Sequence, residues 1–311
     1  MSSKLKLVIR RFCAFALGAV LALSLVLTIG REVRASGPTF TTIDYPGAPA
    51  SFATDINDSG QVVGEYQYGA DFSQRYGYVF SGGVFTSIIF PDSVLTRAVA
   101  INRYGDVVGD YALNTGVGQD FGYLLRGGEF TSIRVPDSDS TIPAGINASG
   151  DVVGWFQDKT GMHGFLLSRG VYTAIDFPDS AAFTQAWKIN DSGEIAGRYR
   201  GATDGKFHMF VLSNGTFTAI SDVPGAFETA VIEDGGLNNA GHIVSQYCTA
   251  KPCTLGSVGN LHGFLLSEGL YTTFDFPGSL STLAFGINSA DEVVGPYFDS
   301  NGVAHGYLRT P

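Results

Sequence analysis

Six short segments of the chain share an asparagine, which in five of them is followed three positions later by a glycine and often has an acidic residue nearby. In the segment at 146–154, INASGDVVG, Asn147 and Asp151 offer oxygen atoms that suit a calcium ion. A calcium loop needs roughly six to eight oxygens, several of them from carboxylates. The position after the glycine varies among Gln, Asp, Glu and His, and the sixth segment lacks the glycine. A type I turn explains the shared residues, because Asn bonds nearby amides and Gly tolerates positive φ. We therefore predict turns and no metal site.

The histidines form a second candidate for chemistry. Four of the five occupy equivalent positions in their repeats, namely His163, His208, His262 and His305. Tyr76 and Phe121 fill the same position in the other two repeats. Replacement by aromatic residues favours a packing or hydrogen-bonding role. Side chains on strands remote from one another cannot converge on one ion. We expect no metal and no cofactor.

The elements that must position these residues are repeats. The asparagine segments recur about every 45 residues, at Asn57, Asn102, Asn147, Asn190, Asn238 and Asn288. Two further blocks keep the same phase, one resembling HGFLL and one resembling FTAIDFP. Each repeat thus has four short apolar runs, with pairs ending in glycine between the third and fourth and a proline after the fourth. Runs of this kind predict four antiparallel strands, which is typical of a propeller blade.

The two ends of the chain complete the count of strands. The last repeat holds three strands and ends at Leu308, whereas the block at 40–45 is an isolated fourth strand. Joining them leaves no sheet edge unpaired. We predict an all-β fold, a six-bladed β-propeller of four-stranded antiparallel blades over residues 36–311, closed by the N-terminal strand. The alternative is a β-solenoid, whose two ends would need caps.

These motifs resemble the HAF repeat of bacterial proteins. The matching residues are Ile146-Asn147, the DVVG segment at 151–154, His163-Gly164-Phe165 and the segment YTAIDFP at 172–178. Gly or Met follows each histidine where the family name implies Ala. The resemblance implies an extracellular repeat protein and no particular reaction.

The first 35 residues predict export. Four basic residues precede an apolar stretch at 12–30, and a small residue, Ala35, ends the segment. This pattern is typical of a signal peptide at 1–35, with an uncleaved anchor as the alternative.

Removing the signal peptide takes away six of the 19 basic and one of the 29 acidic residues, leaving a net charge of −15. Such a charge disfavours nucleic acid and anionic membranes as partners. We expect a secreted monomer, extracellular or periplasmic, with no membrane contact beyond the signal peptide.

The two cysteines that remain after residue 35 lie close together. Cys248 and Cys253 predict a local disulfide in an exported protein. Zinc is the alternative, and it would need His242 and His262 as further ligands.

Functional residues should break the repeat pattern. First strands line the axis of a propeller, and small residues dominate there. The exceptions are Asp55, Lys188 and Asp234, with Arg97, Gln185, Trp187 and Glu233 beside them. Carboxylates, a cation and an aromatic ring at one axial mouth predict a site for a sugar or another small polar ligand. The alternative is that they are ordinary residues of a solvated channel.

The fifth repeat departs furthest from the others, with the insertion CTAKPCTLGSVGNL at 248–261. Loops on a rigid scaffold commonly carry recognition, so this insertion indicates a partner surface. The leading hypothesis is a non-catalytic binding module for an extracellular glycan or protein. One alternative is a carbohydrate-active hydrolase or lyase that uses Asp55 and Asp234. Another is a purely structural envelope protein.

Overall fold

A computed structural model describes residues 37–68, 74–113, 120–232, 234–253 and 260–311. The predicted signal peptide, Glu233 and part of the insertion at 248–261 lie outside these ranges. Residues 38–311 form one compact unit. Within the described ranges, no helix has the length and apolar character needed to cross a bilayer.

The described residues are organised as β-strands joined by turns, which confirms the predicted all-β class. The strands are β1 (Thr39–Ile43), β2 (Ala50–Ile56), β3 (Val62–Tyr68), β4 (Gln74–Ser81), β5 (Val84–Ile88), β6 (Leu95–Ile101), β7 (Val107–Ala112), β8 (Phe121–Arg126), β9 (Glu129–Ile133), β10 (Ser140–Ile146), β11 (Val152–Gln157), β12 (Met162–Ser168), β13 (Val171–Ile175), β14 (Ser180–Ile189), β15 (Ile195–Gly201), β16 (Phe207–Ser213), β17 (Thr216–Ile220), β18 (Glu228–Thr229), β19 (Gly236–Leu237), β20 (Ile243–Cys248), β21 (Leu261–Ser267), β22 (Leu270–Phe274), β23 (Ser281–Thr282), β24 (Gly286–Ile287), β25 (Val293–Phe298) and β26 (Ala304–Thr310).

Each repeat folds as an antiparallel meander in chain order. The first repeat pairs β2 with β3, β3 with β4 and β4 with β5, and later repeats follow the same scheme. The first strands of the fifth and sixth repeats are each split into two short pieces, β18 with β19 and β23 with β24. The turn between the third and fourth strands has positive φ at both central residues, as at Gly82 and Gly83. That conformation matches the twist of a hairpin.

The sheets are not six separate four-stranded ones. Single parallel bridges, Arg75 to Leu95 and Met162 to Phe183, join the first repeat to the second and the third to the fourth. The result is two eight-stranded and two five-stranded sheets among the described strands. These bridges form where the third strand of one repeat begins close to the start of the first strand of the next repeat.

The N-terminal strand lies where the sequence placed it. β1 pairs antiparallel with β26, from Thr39 opposite Thr310 to Ile43 opposite Gly306. Ile43 then packs with Ala53, Ile56 and Val294 in one buried cluster, so residues from both ends of the chain share a core.

Apolar side chains of neighbouring repeats interlock to form the core. Val63 of the first repeat packs against Ile88, Ala98 and Tyr123, and the last two belong to the second repeat. Burial of this apolar surface, at about 25 cal/mol per Å², holds adjacent repeats together. The outer fourth strands remain largely exposed.

A bulge interrupts four of the first strands, two residues before the isoleucine of the Ile-Asn pair. The register shifts between Ala53 and Asp55, and again between Ala186 and Lys188. A bulge adds one residue to a strand and increases its twist. It therefore changes which way the residues around it face, and the position of Trp187 depends on it.

Candidate ligand-binding site

The six asparagine segments are turns, as predicted. In the second, the side-chain oxygen of Asn102 accepts the amides of Tyr104 and Asp106, both at 3.0 Å. Gly105 has a φ of 84° there, while Asp291 takes the equivalent conformation in the sixth segment at 58°. No group of three or more potential metal-ligating side chains occurs in the described ranges.

The asparagine amides also connect the turns to one another. Each Nδ2 donates to the backbone oxygen of the asparagine in the next repeat, and the sixth donates back to the first. The distances are 3.0 Å from Asn57 to Asn102, 3.2 Å to Asn147, 3.4 Å to Asn190, 3.3 Å to Asn238, 3.0 Å to Asn288 and 3.4 Å back to Asn57. All six side chains are buried, so the turns form a continuous cycle of hydrogen bonds.

A small cavity of about 70 Å³ lies within this cycle and is lined by turn residues of all six repeats. We call it the Asn-turn cavity. Two of the predicted site residues, Asp55 and Lys188, lie here. Lys188 Nζ is 3.1 Å from Asp55 Oδ2 and 3.4 Å from the backbone oxygen of Val99.

The ion pair joins the first repeat to the fourth and satisfies both of its charges. Asp55 also accepts the Ile101 amide at 3.0 Å. Burial raises the pKa of Asp55 above its ordinary value, although Lys188 and the Ile101 amide oppose the shift. The pair therefore acts as a structural cross-link at this cavity.

A second cavity, of about 650 Å³, is lined by residues of five repeats and lies toward the other ends of the first strands. We call it the wide cavity. Two more of the predicted residues, Arg97 and Asp234, line it, and so does Cys253. The residues predicted to share one mouth are therefore divided between two cavities.

Gln185 and Trp187 line neither cavity and are fully buried. Gln185 accepts a hydrogen bond from Arg198 Nε at 2.7 Å. Trp187 occupies the bulge and packs in a core cluster with Met209 and Leu237. A Cβ on Gly235 would lie only 2.7 Å from its ring. The expectation that the indole binds a ligand is corrected, because the bulge turns the ring into the core. Glu233 lies outside the described residues.

Several residues of the wide cavity were missed in the sequence. Two of them, Glu65 and Arg198, occupy the position directly after the V-V-G segment of the second strand. Six repeats carry six different residues at that position, namely Glu65, Asp110, Trp155, Arg198, Gln246 and Pro296. Three of these side chains lie opposite first-strand residues that also vary, in the pairs Phe52 with Glu65, Arg97 with Asp110 and Gln185 with Arg198. Variation at one position of an otherwise regular repeat was the available signal.

Arg97 and Asp110, which lie opposite each other on paired strands, form a close ion pair. Arg97 Nε and Nη2 both lie 2.9 Å from Asp110 Oδ1. Burial raises the pKa of Asp110 to about 6, even though Arg97 opposes the shift. For Arg97, burial lowers the pKa, but the carboxylates of Asp110, Glu65 and Asp234 outweigh that effect and raise it. Arg97 thus remains a cation and is surrounded by carboxylates.

Glu65 has no such partner. The residue is 7% exposed, and Phe52 lies opposite it in the sheet. Its Oε1 atom is 3.5 Å from Nη1 of Arg75, whose side chain is partly exposed. Its Oε2 atom is buried and has no hydrogen-bond partner among the described residues. One carboxylate oxygen in the wall of the wide cavity is therefore unsatisfied.

Four phenylalanines form a further part of the wall of the wide cavity. Phe52, Phe207 and Phe298 are half-buried there, and Phe285 is buried. The Arg198 guanidinium stacks 4.2 Å from the centre of the Phe207 ring and donates to the Ala230 oxygen at 3.0 Å. The wide cavity combines apolar rings with fixed charges.

The predicted disulfide is present between Cys248 and Cys253, with a Cα–Cα distance of 5.8 Å. Cys248 is buried beside Leu261, and Cys253 faces the wide cavity. The bridge therefore fixes the start of the fifth-repeat insertion at the edge of this cavity.

The histidine position has the packing and hydrogen-bonding role that the sequence predicts. His163 bonds Asp176 at 2.7 Å and His305 bonds Asp44 at 2.8 Å. The other two histidines are also bonded to aspartates, and all four rings lie against an aromatic ring of the second strand. In the second repeat, which lacks the histidine, Arg134 covers Phe121 instead at 5.0 Å.

No family model matches the chain, and no curated protein matches it. Among solved structures it is similar to β-propellers. A putative TolB from Agrobacterium tumefaciens has a TM-score of 0.53 and 13% identity, covering 85% of this chain and 99% of that one. A putative gluconolactonase has a TM-score of 0.51 and 12% identity, with coverages of 88% and 93%. Trypanosoma rangeli sialidase has a TM-score of 0.53 and 9% identity, covering 89% of this chain and 60% of its own. At these identities the likeness shows a β-propeller-like fold alone.

Proposed function

We propose that this protein is an exported, monomeric six-bladed β-propeller that works as a non-catalytic binding module for an extracellular glycan or protein. The observation that carries the proposal is the wide cavity of about 650 Å³. Its walls are built from side chains that break the repeat pattern on a frame that otherwise repeats. Its size is that of a small-molecule site, and it combines apolar surface with a few fixed polar groups.

Two contacts support six blades in a closed ring. The cycle of asparagine hydrogen bonds passes through six turns and returns from Asn288 to Asn57. The pairing of β1 with β26 gives the sixth repeat its fourth strand. A solenoid would leave its first and last repeats apart, so both contacts favour the ring over that alternative.

The disulfide and the sequence motifs support export. Disulfides persist in oxidising compartments, and the Cys248–Cys253 bond is formed. The N-terminal signal pattern and the resemblance to HAF repeats point to the same location, extracellular or periplasmic.

The positions of the two carboxylates predicted to be catalytic disfavour hydrolysis by that pair. Asp55 and Asp234, the candidate pair of catalytic carboxylates, line different cavities. Asp55 is also held by Lys188. A glycosidase needs its two carboxyl groups within about 10 Å, on either side of one bond, and this pair lacks a common cavity.

The proposal is tested by filling the wide cavity. Gln67 lines it, and Gln157 holds the equivalent position in the third repeat without lining it. Binding of saccharides, peptides and secreted proteins is measured by calorimetry for wild type, Gln67→Trp and Gln157→Trp. We expect Gln67→Trp to abolish binding and Gln157→Trp to retain it. Equal binding by all three proteins, or turnover of a polysaccharide by the wild type, would contradict the proposal.

A further inference from the structure

Glu65 lines the wide cavity and has one carboxylate oxygen without a hydrogen-bond partner among the described residues. The carboxylate is more than nine-tenths buried, and its Oε2 atom has no partner in the part of the chain that the structure describes. Leaving a buried acceptor unpaired destabilises a fold, and a charged acceptor does so more strongly. A ligand that donates a hydrogen bond to Oε2 would remove this penalty on binding. The wall of the wide cavity therefore selects for a hydrogen-bond donor at Glu65.

The charges around the wide cavity indicate what kind of donor it is. Arg75, Arg97 and Arg198 contribute three positive charges to its wall. Glu65 and Asp234 contribute two negative charges, and Asp110, bonded to Arg97, contributes the third. A balanced wall gives an ammonium or a carboxylate no net attraction that offsets the loss of its hydration. An uncharged donor such as a hydroxyl group has a much smaller desolvation cost.

The aromatic wall adds a second requirement. Phe52, Phe207 and Phe298 present apolar ring surface to the same cavity. A ligand that satisfies both the rings and Glu65 has an apolar face and hydroxyl groups at its edge. A pyranose ring has this combination, with C–H groups on its face and hydroxyl groups around it.

We infer that the wide cavity binds an uncharged sugar and that Glu65 anchors it by accepting a hydrogen bond from a sugar hydroxyl. This inference rests on the proposed binding function and names the ligand class of the same site. Glu65 acts as an acceptor throughout, so no bond is made or broken.

The test uses an array of neutral, glucosamine-containing and uronate-containing oligosaccharides, followed by calorimetry with the best-binding probe. The variants are Glu65→Gln, which keeps the shape, and Glu65→Met, which removes all polar atoms. Glu129→Gln, an exposed acid on β9, is the charge-matched control. We expect a neutral probe to bind best. Glu65→Met should weaken it more than tenfold, Glu65→Gln less so, and the control should bind within twofold of wild type.

The thermal midpoint separates anchoring from folding. Because Oε2 has no partner among the described residues and Oε1 has only a 3.5 Å contact with the partly exposed Arg75, the Tm of Glu65→Met should lie at or above that of wild type. A lower Tm, a Kd within twofold of wild type, or preference for a charged probe would overturn the inference. Absence of saccharide binding would also overturn it. In that case the binding-module proposal stands if a peptide or protein ligand is lost in Gln67→Trp, and falls if none is.

Discussion

The asparagine cycle makes the strongest prediction about stability, and Asn102 tests it best. Its side-chain oxygen accepts two backbone amides of its own turn. Its Nδ2 donates to Asp106 Oδ2 at 3.1 Å and to the Asn147 oxygen at 3.2 Å. The side chain is only 4% exposed, so solvent cannot easily replace these bonds.

Asn102→Ala removes all four hydrogen bonds. At roughly 0.5 to 1 kcal/mol for each bond, the free energy of unfolding should fall by about 3 kcal/mol. Urea denaturation at pH 7 measures the change. Asn301→Ala is the control, because Asn301 is an exposed turn residue with one side-chain donor bond, to Asp299. It should stay within about 0.5 kcal/mol of wild type.

Asn102→Asp distinguishes the cycle from the turn. Aspartate keeps both acceptor bonds of the turn but loses the donor that reaches Asn147. Its charge would face the Asp106 carboxylate, so the folded state should raise the pKa of the new carboxyl group. The loss relative to wild type should therefore grow as the pH rises from about 4 to 7. The reasoning is refuted if Asn102→Asp matches wild type at pH 7, or if Asn102→Ala costs less than about 1 kcal/mol.

Three further changes probe the buried charges and the disulfide. Lys188→Met leaves Asp55 buried without its cation and should cost about 3 kcal/mol of unfolding free energy. The double variant with Asp55→Asn should recover most of this loss, and a double-mutant cycle showing no coupling would contradict it. The pKa of Asp110, about 6 against an ordinary 3.8, means that the folded state holds this proton more tightly. Asp110 should therefore contribute a fall of up to about 3 kcal/mol in the stability of wild type as the pH rises from about 4 to 6, and Asp110→Asn should lose that contribution; equal slopes would refute the assignment. Cys253→Ser opens a bridge between residues five apart and should lower stability by about 2 kcal/mol. Its Tm should no longer respond to dithiothreitol.

Most of the secondary structure could be predicted because its causes are local. The pair Gly82-Gly83 and the later Pro91 bracket β5, and the same punctuation recurs in each repeat. Turn chemistry and alternating apolar residues act over a few positions, so one sequence contains them. The repeat phase also placed β1 beside β26, although the two strands are at opposite ends of the chain.

The candidate site could be predicted only in part. Counting along the first strands grouped Trp187 with Lys188 at one mouth because the two residues are neighbours in the sequence. The bulge at this point turns the ring into the core, and the same strand leaves Lys188 at the Asn-turn cavity. A bulge arises from the pairing of two strands, so it has no reliable signature in either strand alone.

The sequence by itself determined the strands, the turns, the disulfide pairing and the position of the N-terminal strand, because these follow from local chemistry and from repetition. Only the tertiary structure decided that Asp55 is paired with Lys188 and that Glu65 Oε2 has no hydrogen-bond partner among the described residues. Those outcomes depend on which side chains of distant repeats face each other across a cavity. Burial and pairing then set the energy of each charge, and no single repeat contains that information.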